Sequence, residues 1–579
     1  MIGLHISPEE LRRLLVETLH VVPAIDFDKA ADMARRFRVP LERALVERTG
    51  MPTVFLLKQL AEAWEVRFID LKVTDVERAA LDLVSETVAR AHVVMPFKRS
   101  GHELQVATTN PHDDVAFEVL TAATGLKIVP VLAAEIAIRR AHLLYRKEIR
   151  EILDRPAVTS WGEAFRVHPG GEDGAAVKVL DRVLEYGALV QASDIHIEPY
   201  ELETVVRYRV DGALRDVLSL PPTAIASLAA RVKVLSRMKI DEHRVPQDGQ
   251  FSIDLGGVSL DFRVSSLPTV WGEKLVLRIH SKEIAFQDLE DLGLSAGDHA
   301  KLLRAIRRPF GMVLMTGPTA SGKSTSLYAA LIKLGAERQN TVNISTIEDP
   351  VEFRLPRVTQ TQINPAIHLE FGTTLRALLR QDPDIIMVGE IRDLETADLA
   401  VRAALVGRLF FSTLHTNDAP SAVPRLVDIG VEPFLLASTL NLVVAQRLLR
   451  RVCPTCRESV VPEHSVMESL RARPDFEALV DGLRAGGIVG EGPDPFGGLR
   501  LFLGRGCPQC AGTGYRRRLG VFEVMEVNDE IRDMIRQRRD SGLLREAAIR
   551  GGMKTMFQDG LAKAFLGETT LEEVFRVAY

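Results

Sequence analysis

The sequence predicts an α/β protein built around a doubly wound parallel sheet, and three observations carry that reading. Apolar runs ending in polar residues alternate with helix-patterned stretches between residues 310 and 445. One of those runs leads directly into GPTASGKST (317–325), a glycine-rich turn followed by a helix. Two further runs finish in carboxylates and another in a histidine, at the strand ends where such sheets bind their ligands.

The 579 residues suit four domains at ~150 residues each, enough to bury several cores without disulfides. A net charge of −5 argues against a generally basic nucleic-acid binder. No stretch approaches the ~18 apolar residues of a membrane span, and MIGLHISPEELRRLL lacks the continuous apolar core of a signal peptide. A cytoplasmic protein is expected. The four cysteines all fall between 453 and 510, which points to a reducing compartment and a local task.

Residues 1–150 read as a mixed α/β domain. PEELRRLLVETLHVV and LLKQLAEAW have helical spacing, whereas HVVMPF and HELQVATT alternate like strands. A Gly- and Pro-containing stretch within 151–177 reads as a linker. Residues 178–283 open with a helix and continue with strand-like DIHIEP, TVVRYRVDG, FSIDLGGVSLDFRVSSLP and EKLVLRIH, with helical AIASLAARVKVLSRM among them. In the domain expected over 284–445, GMVLMTG, TVNISTIED, PDIIMVGE and RLFFSTLH are buried-strand candidates, separated by helices such as STSLYAALIKL and LETADLAVRAALV. The remainder, 446–579, holds both cysteine pairs and several helical stretches.

GPTASGKST fits G-x4-G-K-[ST] in the strand–turn–helix setting of a P-loop, so Gly317, Pro318, Thr319, Ala320, Ser321, Gly322, Lys323, Ser324 and Thr325 are expected to cradle a nucleotide. The glycines let successive N–H groups face phosphate oxygens at a helix N-terminus. Lys323 would reach the β- and γ-phosphates, and Ser324 would ligate Mg²⁺. Thr325 would lie near the α-phosphate. Two strand ends supply carboxylates: Glu348, Asp349 and Glu352 in STIEDPVEF, and Glu390 in DIIMVGEIRD. Glu348 and Glu390 are the candidates for water activation and Mg²⁺ coordination, in an order the sequence leaves open. His415, in STLHTND, also follows an apolar strand; an isolated histidine there reads as structural or solvent-facing, or in a nucleotide site as a sensor of the γ-phosphate through a hydrogen bond.

Four segments in order, GPTASGKST, STIEDPVEF, RQDPDIIMVGEIRD and STLHTNDA, resemble the Walker A, Asp box, Walker B and His box of the ATPases that drive type II secretion and type IV pilus assembly. SDIHIEP, RYRVDG, RVPQDGQ, RVSSLPTVWGEKLVLRI, AQRLLRRVCPTC and GCPQCAGTGYRRRLGVFEV extend the resemblance over most of residues 90–579. It implies a RecA-like P-loop domain preceded by a small PAS-like α/β domain, an N-terminal α/β docking domain and a zinc-bearing C-terminal subdomain. It also implies a homo-hexamer that hydrolyses ATP beside an inner-membrane platform and cytoplasmic adaptor proteins, with membrane contact mainly through those partners. Arg207, Arg209, Arg263 and Arg278 match the arginines that approach the phosphates in this family, where they would stabilise developing charge. Gly407-Arg408 departs from the Gly-His expected there. PLERALVERTGM echoes part of a cyclic di-GMP motif but has neither its Arg-Leu-Gly start nor a clear second copy; a helical core explains it as well.

Cys453 and Cys456, with Cys507 and Cys510, form two CxxC pairs whose four thiolates suit tetrahedral Zn²⁺. The separation of the pairs exceeds the usual ~15–20 residues, so the intervening chain reads as an inserted excursion. Redox chemistry competes with this reading, but a cytoplasmic location disfavours stable disulfides. Arg450, Arg451, Arg516, Arg517 and Arg518 near the pairs read as a solvated face or as contacts for an acidic partner.

The leading functional reading is a Mg²⁺-dependent motor ATPase powering pseudopilus assembly in type II protein secretion, with pilus extension as the close alternative. A nucleic-acid translocase would reveal itself by salt-sensitive, DNA-stimulated hydrolysis. A nucleotide-bound scaffold would show no Lys323-dependent turnover.

Overall fold

The computed structural model describes residues 7–37, 41–49, 53–145, 174–210, 212–254, 259–281, 289–339, 341–462, 464–473, 475–490, 500–507, 510 and 512–578. The linker expected over 151–177 lies outside the described residues as far as 173, and Gly174–Leu189 is a helix. Two compact units result: 1–45 with 53–284, and 46–52 with 285–579.

The first unit contains two sheets. A four-stranded sheet has the order Arg67–Phe68, Lys127–Leu132, Glu103–Thr108, Val94–Ser100. PLERALVERTGM contributes the helix Leu41–Thr49, and its remaining residues lie outside the described set. A six-stranded antiparallel sheet runs Ala213–Leu220, Thr204–Val210, Asp194–Pro199, Gly272–Ser281, Ser259–Thr269, Gln247–Asp254. Alternation along these strands sends Ile195, Ile197, Val206, Tyr208, Leu275 and Leu277 into one core with the helices Gly174–Leu189 and Ala224–Ser236. The Tyr208 hydroxyl reaches that core and donates to the Val183 carbonyl at 2.9 Å, so its burial strands no polar group. The same alternation puts Arg207, Arg209 and Arg278 on the opposite face.

The second unit is organised by a seven-stranded sheet in the order Val358–Gln362, Ile344–Glu348, Ile385–Val388, Leu409–Leu414, Gly311–Thr316, Leu440–Val452, Tyr515–Glu526. Every pairing is parallel except the last. The expected doubly wound sheet is therefore present, with an antiparallel strand on one edge. Gly311–Thr316, Ile344–Glu348, Ile385–Val388 and Leu409–Leu414 are buried along their whole length, because helices cover both faces. That burial explains why these strands read as continuous apolar runs.

The sequence pattern does not distinguish Leu440–Val452 and Tyr515–Glu526 as strands. Leu440–Val452 lies directly against the P-loop strand and ends immediately before Cys453. Among the described residues, no helix is long and apolar enough to cross a membrane.

Candidate functional site

The phosphate loop follows the strand Gly311–Thr316 and ends at the helix Lys323–Glu337. Gly317 and Gly322 have φ of +144° and +89°, values that L side chains rarely adopt. A Cβ at Gly317 would sit 2.4 Å from the Gln446 carbonyl oxygen, and one at Gly322 would sit 2.7 Å from Gln446 Nε2. Both glycines are thus required by backbone conformation and by the neighbouring strand. No side chain caps the helix, so its first-turn N–H groups stay available to an anion. Ser321 Oγ is buried and, among the described residues, has no hydrogen-bond partner, which also fits a ligand-binding loop.

Lys323 is buried and donates to the carbonyls of Gly317 and Pro318 at 2.7 and 3.0 Å. Burial lowers its pKa, and the negative charge of Glu390 opposes that shift. Ser324 is exposed at the start of the helix, whereas Thr325 is half-buried. Pro318, Thr319 and Ala320 form the exposed crown of the loop.

Parallel pairing brings the carboxyl ends of four strands to one edge, and with them Glu348, Glu390 and His415 beside the loop. Glu390 forms an ion pair with Arg392 and lies 3.2 Å from His415 Nε2. Burial would raise the Glu390 pKa, but Arg392 and His415 outweigh it and hold the carboxyl below its ordinary value. Glu348 is fully buried in hydrogen bonds. Its Oε1 accepts from Thr346 Oγ1 at 2.5 Å and Gln360 Nε2 at 3.0 Å, and Oε2 accepts from the Tyr328 hydroxyl. The two glutamates therefore have different surroundings: one faces an arginine and a histidine, the other neutral donors.

Sequence pattern did not single out Arg392, Tyr328, Thr346 or Gln360. Tyr328 had one signal, a hydroxylated ring within the otherwise aliphatic core face of SLYAALIKL. Thr316 was missed too; its hydroxyl donates to the Thr416 carbonyl at 3.0 Å and accepts from the Thr416 N–H at 2.8 Å, tying the P-loop strand to the His415 segment. Arg408 precedes Leu409–Leu414 and pairs with Asp382 at 2.8 Å, at the end of the strand opposite His415. The departure from Gly-His at 407–408 therefore leaves the His415 end untouched.

The four sequence-selected arginines lie in the first unit, the P-loop in the second. Arg207 pairs with Asp216 at 2.7 Å and Glu198 at 3.3 Å. Arg278 and Arg209 share Asp194, at 2.9 and 3.5 Å. Arg263 stands opposite Arg278 on the neighbouring strand. Asp194 and Glu198 both have pKa values below the ordinary range: burial would raise them, but the hydrogen bonds and cations around them win, bringing Glu198 to about 2.

The four cysteine sulfurs lie within 4.8 Å of one another. Cys453–Cys507 and Cys456–Cys510 are 3.8 Å apart and Cys507–Cys510 3.7 Å. A tetrahedron with Zn–S bonds of ~2.3 Å has edges of ~3.8 Å, whereas a disulfide needs ~2.05 Å. The backbone N–H groups of Cys507 and Gly514 each lie 3.2 Å from Cys510 Sγ. Burial would raise that thiol's pKa, but these donors and the neighbouring cysteines bring it down to about 7. Nearby, Arg450, which is partly exposed, lies over the Tyr515 ring at 4.2 Å and pairs with buried Glu573.

Residues 171–576 match the family described as Type II/IV secretion system protein, and residues 64–148 match the MshEN domain. The chain is 39% identical over 557 residues to the type IV pilus assembly ATPase PilB of Myxococcus xanthus, covering 94% of this chain and 95% of that protein. It is 48% identical over 407 residues to the type II secretion system protein HxcR of Pseudomonas aeruginosa, covering 70% and 78% respectively. Among solved structures, the Legionella pneumophila ATPase DotB has a TM-score of 0.50 at 21% identity, covering 69% of this chain and 95% of that one, a likeness of fold.

Proposed function

The chain belongs to the Type II/IV secretion system protein family, and from that premise we propose that it is the motor ATPase that powers pseudopilus assembly in type II protein secretion. Its reaction is hydrolysis of ATP to ADP and phosphate. The observation that carries the reading is the convergence of Lys323, Glu348, Glu390 and His415 at one edge of the parallel sheet. Similarity to HxcR supports the secretion branch, and similarity to PilB over nearly the whole chain supports pilus extension equally.

In this reading the first-turn N–H groups and Lys323 hold the triphosphate. Ser324 and Glu390 hold Mg²⁺, which neutralises phosphate charge when bound. Glu348, held by the hydrogen bonds of Thr346, Gln360 and Tyr328, orients the attacking water. His415, hydrogen-bonded to Glu390, reports on the γ-phosphate. Arg207, Arg209, Arg263 and Arg278 supply positive charge to the phosphates; Glu198 pairs with Arg207, and Asp194 with Arg209 and Arg278. Cys453, Cys456, Cys507 and Cys510 hold a structural Zn²⁺, a closed set of four sulfurs that leaves no position for catalysis. A homo-hexamer working in the cytoplasm on an inner-membrane platform and its adaptors completes the proposal.

Lys323→Ala in the native host tests the reading. Loss of secreted proteins with normal surface pili selects secretion, and the reverse selects pilus extension. Undiminished hydrolysis by the purified variant would overturn the site assignment.

A further inference from the structure

The hydrogen bonds around Glu348 form one connected structure. The carboxylate ends the strand Ile344–Glu348 and is only 4% exposed. A carboxyl buried this deeply is costly unless donors meet it, and among the described residues three do so: Thr346 from its own strand, Gln360 from the edge strand and Tyr328 from the P-loop helix. Gln360 is itself fixed, since its Oε1 accepts from the Leu355 N–H at 2.6 Å and its Nε2 also donates to the Phe353 carbonyl at 2.9 Å. The Tyr328 oxygen lies 3.3 Å from the Glu352 N–H, and its ring meets Phe353 edge-on with centroids 6.1 Å apart.

Tyr328 differs from the other two donors in its origin. It stands four residues after Ser324 on the same helix, so both side chains project from one helical face. The helix whose N-terminus faces the phosphates thereby also grips the carboxylate expected to orient water. Thr346 and Gln360 fix Oε1 within the sheet, while among the described residues the phenol alone fixes Oε2 relative to the nucleotide-binding helix.

We infer that Tyr328 is a positioning residue that sets the Glu348 carboxylate in register with the phosphate loop through its hydrogen bond to Oε2. The inference rests on the proposed role of Glu348 in water activation. Its effect on the reaction passes through the glutamate. Removing the hydroxyl leaves the ring packed against Phe353 but frees Oε2 to rotate, and small misplacements of a catalytic group are costly.

The test compares Tyr328→Phe, Glu348→Gln and the unaltered full chain. Steady-state hydrolysis, affinity for a fluorescent ATP analogue and thermal unfolding are measured on each. Tyr328→Phe is expected to lower kcat by about 10- to 100-fold, with KM and analogue affinity within about twofold. A purely structural role would instead lower the unfolding temperature and weaken nucleotide binding together. Wild-type kcat in Tyr328→Phe beside an inactive Glu348→Gln would overturn the positioning role while leaving Glu348 in place. Wild-type turnover in Glu348→Gln would overturn the water-activation reading, and the inference with it.

Discussion

Ser326 donates its hydroxyl to Gln446 Oε1 at 2.7 Å, joining the P-loop helix to the strand that ends immediately before Cys453. The same glutamine lines the loop, with its carbonyl against Gly317 and its amide nitrogen against Gly322. One side chain thus ties the nucleotide-binding turn to the strand leading into the cysteine cluster.

Gln446→Leu should leave the buried Ser326 hydroxyl unpaired and cost about 1–3 kcal/mol of stability, read by urea unfolding. Gly317→Ala should be more damaging to function, because the added methyl meets a backbone carbonyl that has no rotamer to yield. Its expected signature is loss of binding of a fluorescent ATP analogue.

The cysteine geometry predicts metal. Protein purified without chelator should contain a single zinc per chain by elemental analysis, and Cys453→Ser or Cys510→Ser should lose it. Thermal unfolding of these variants should occur at lower temperature, because binding of a structural metal contributes to folding. Intact zinc content in both variants would refute the four-sulfur site.

Glu573 predicts an acid dependence. Its buried carboxylate is held by Arg450 and Arg576; burial would raise its pKa, but these arginines outweigh burial and lower it from 4.5 to about 2. A carboxyl depressed on folding stabilises above its unfolded pKa and loses that contribution as pH falls through the folded value. Stability supplied by Glu573 should therefore be complete above 4.5 and decline from there towards about 2. Between about pH 5 and about pH 3, urea midpoints of the unaltered protein should fall more steeply than those of Glu573→Gln.

Much of the nucleotide site was legible in the sequence because its chemistry is local. GPTASGKST carries its own turn, donors and helix start, and the apolar runs before Glu348, Glu390 and His415 reveal the strands that end there. The cysteine pairs were visible by the same locality, each CxxC setting two ligands on one turn. Strands Leu440–Val452 and Tyr515–Glu526 were less visible, since their arginines interrupt the apolar pattern. Glu573, fully buried and far along the chain, meets the partly exposed Arg450 on the first of them.

The sequence by itself determined the phosphate loop, the candidate carboxylates and the four sulfur ligands, since each depends on residue type and short spacing. Only the tertiary structure decided what surrounds them. Parallel pairing brought three distant strand ends to the loop, and the crossing of helix and strands gave Glu348 neutral donors while Glu390 received Arg392 and His415. Hydrogen bonds and ion pairs act over a few ångströms irrespective of chain separation, so the environments that distinguish two glutamates exist only once the chain has folded.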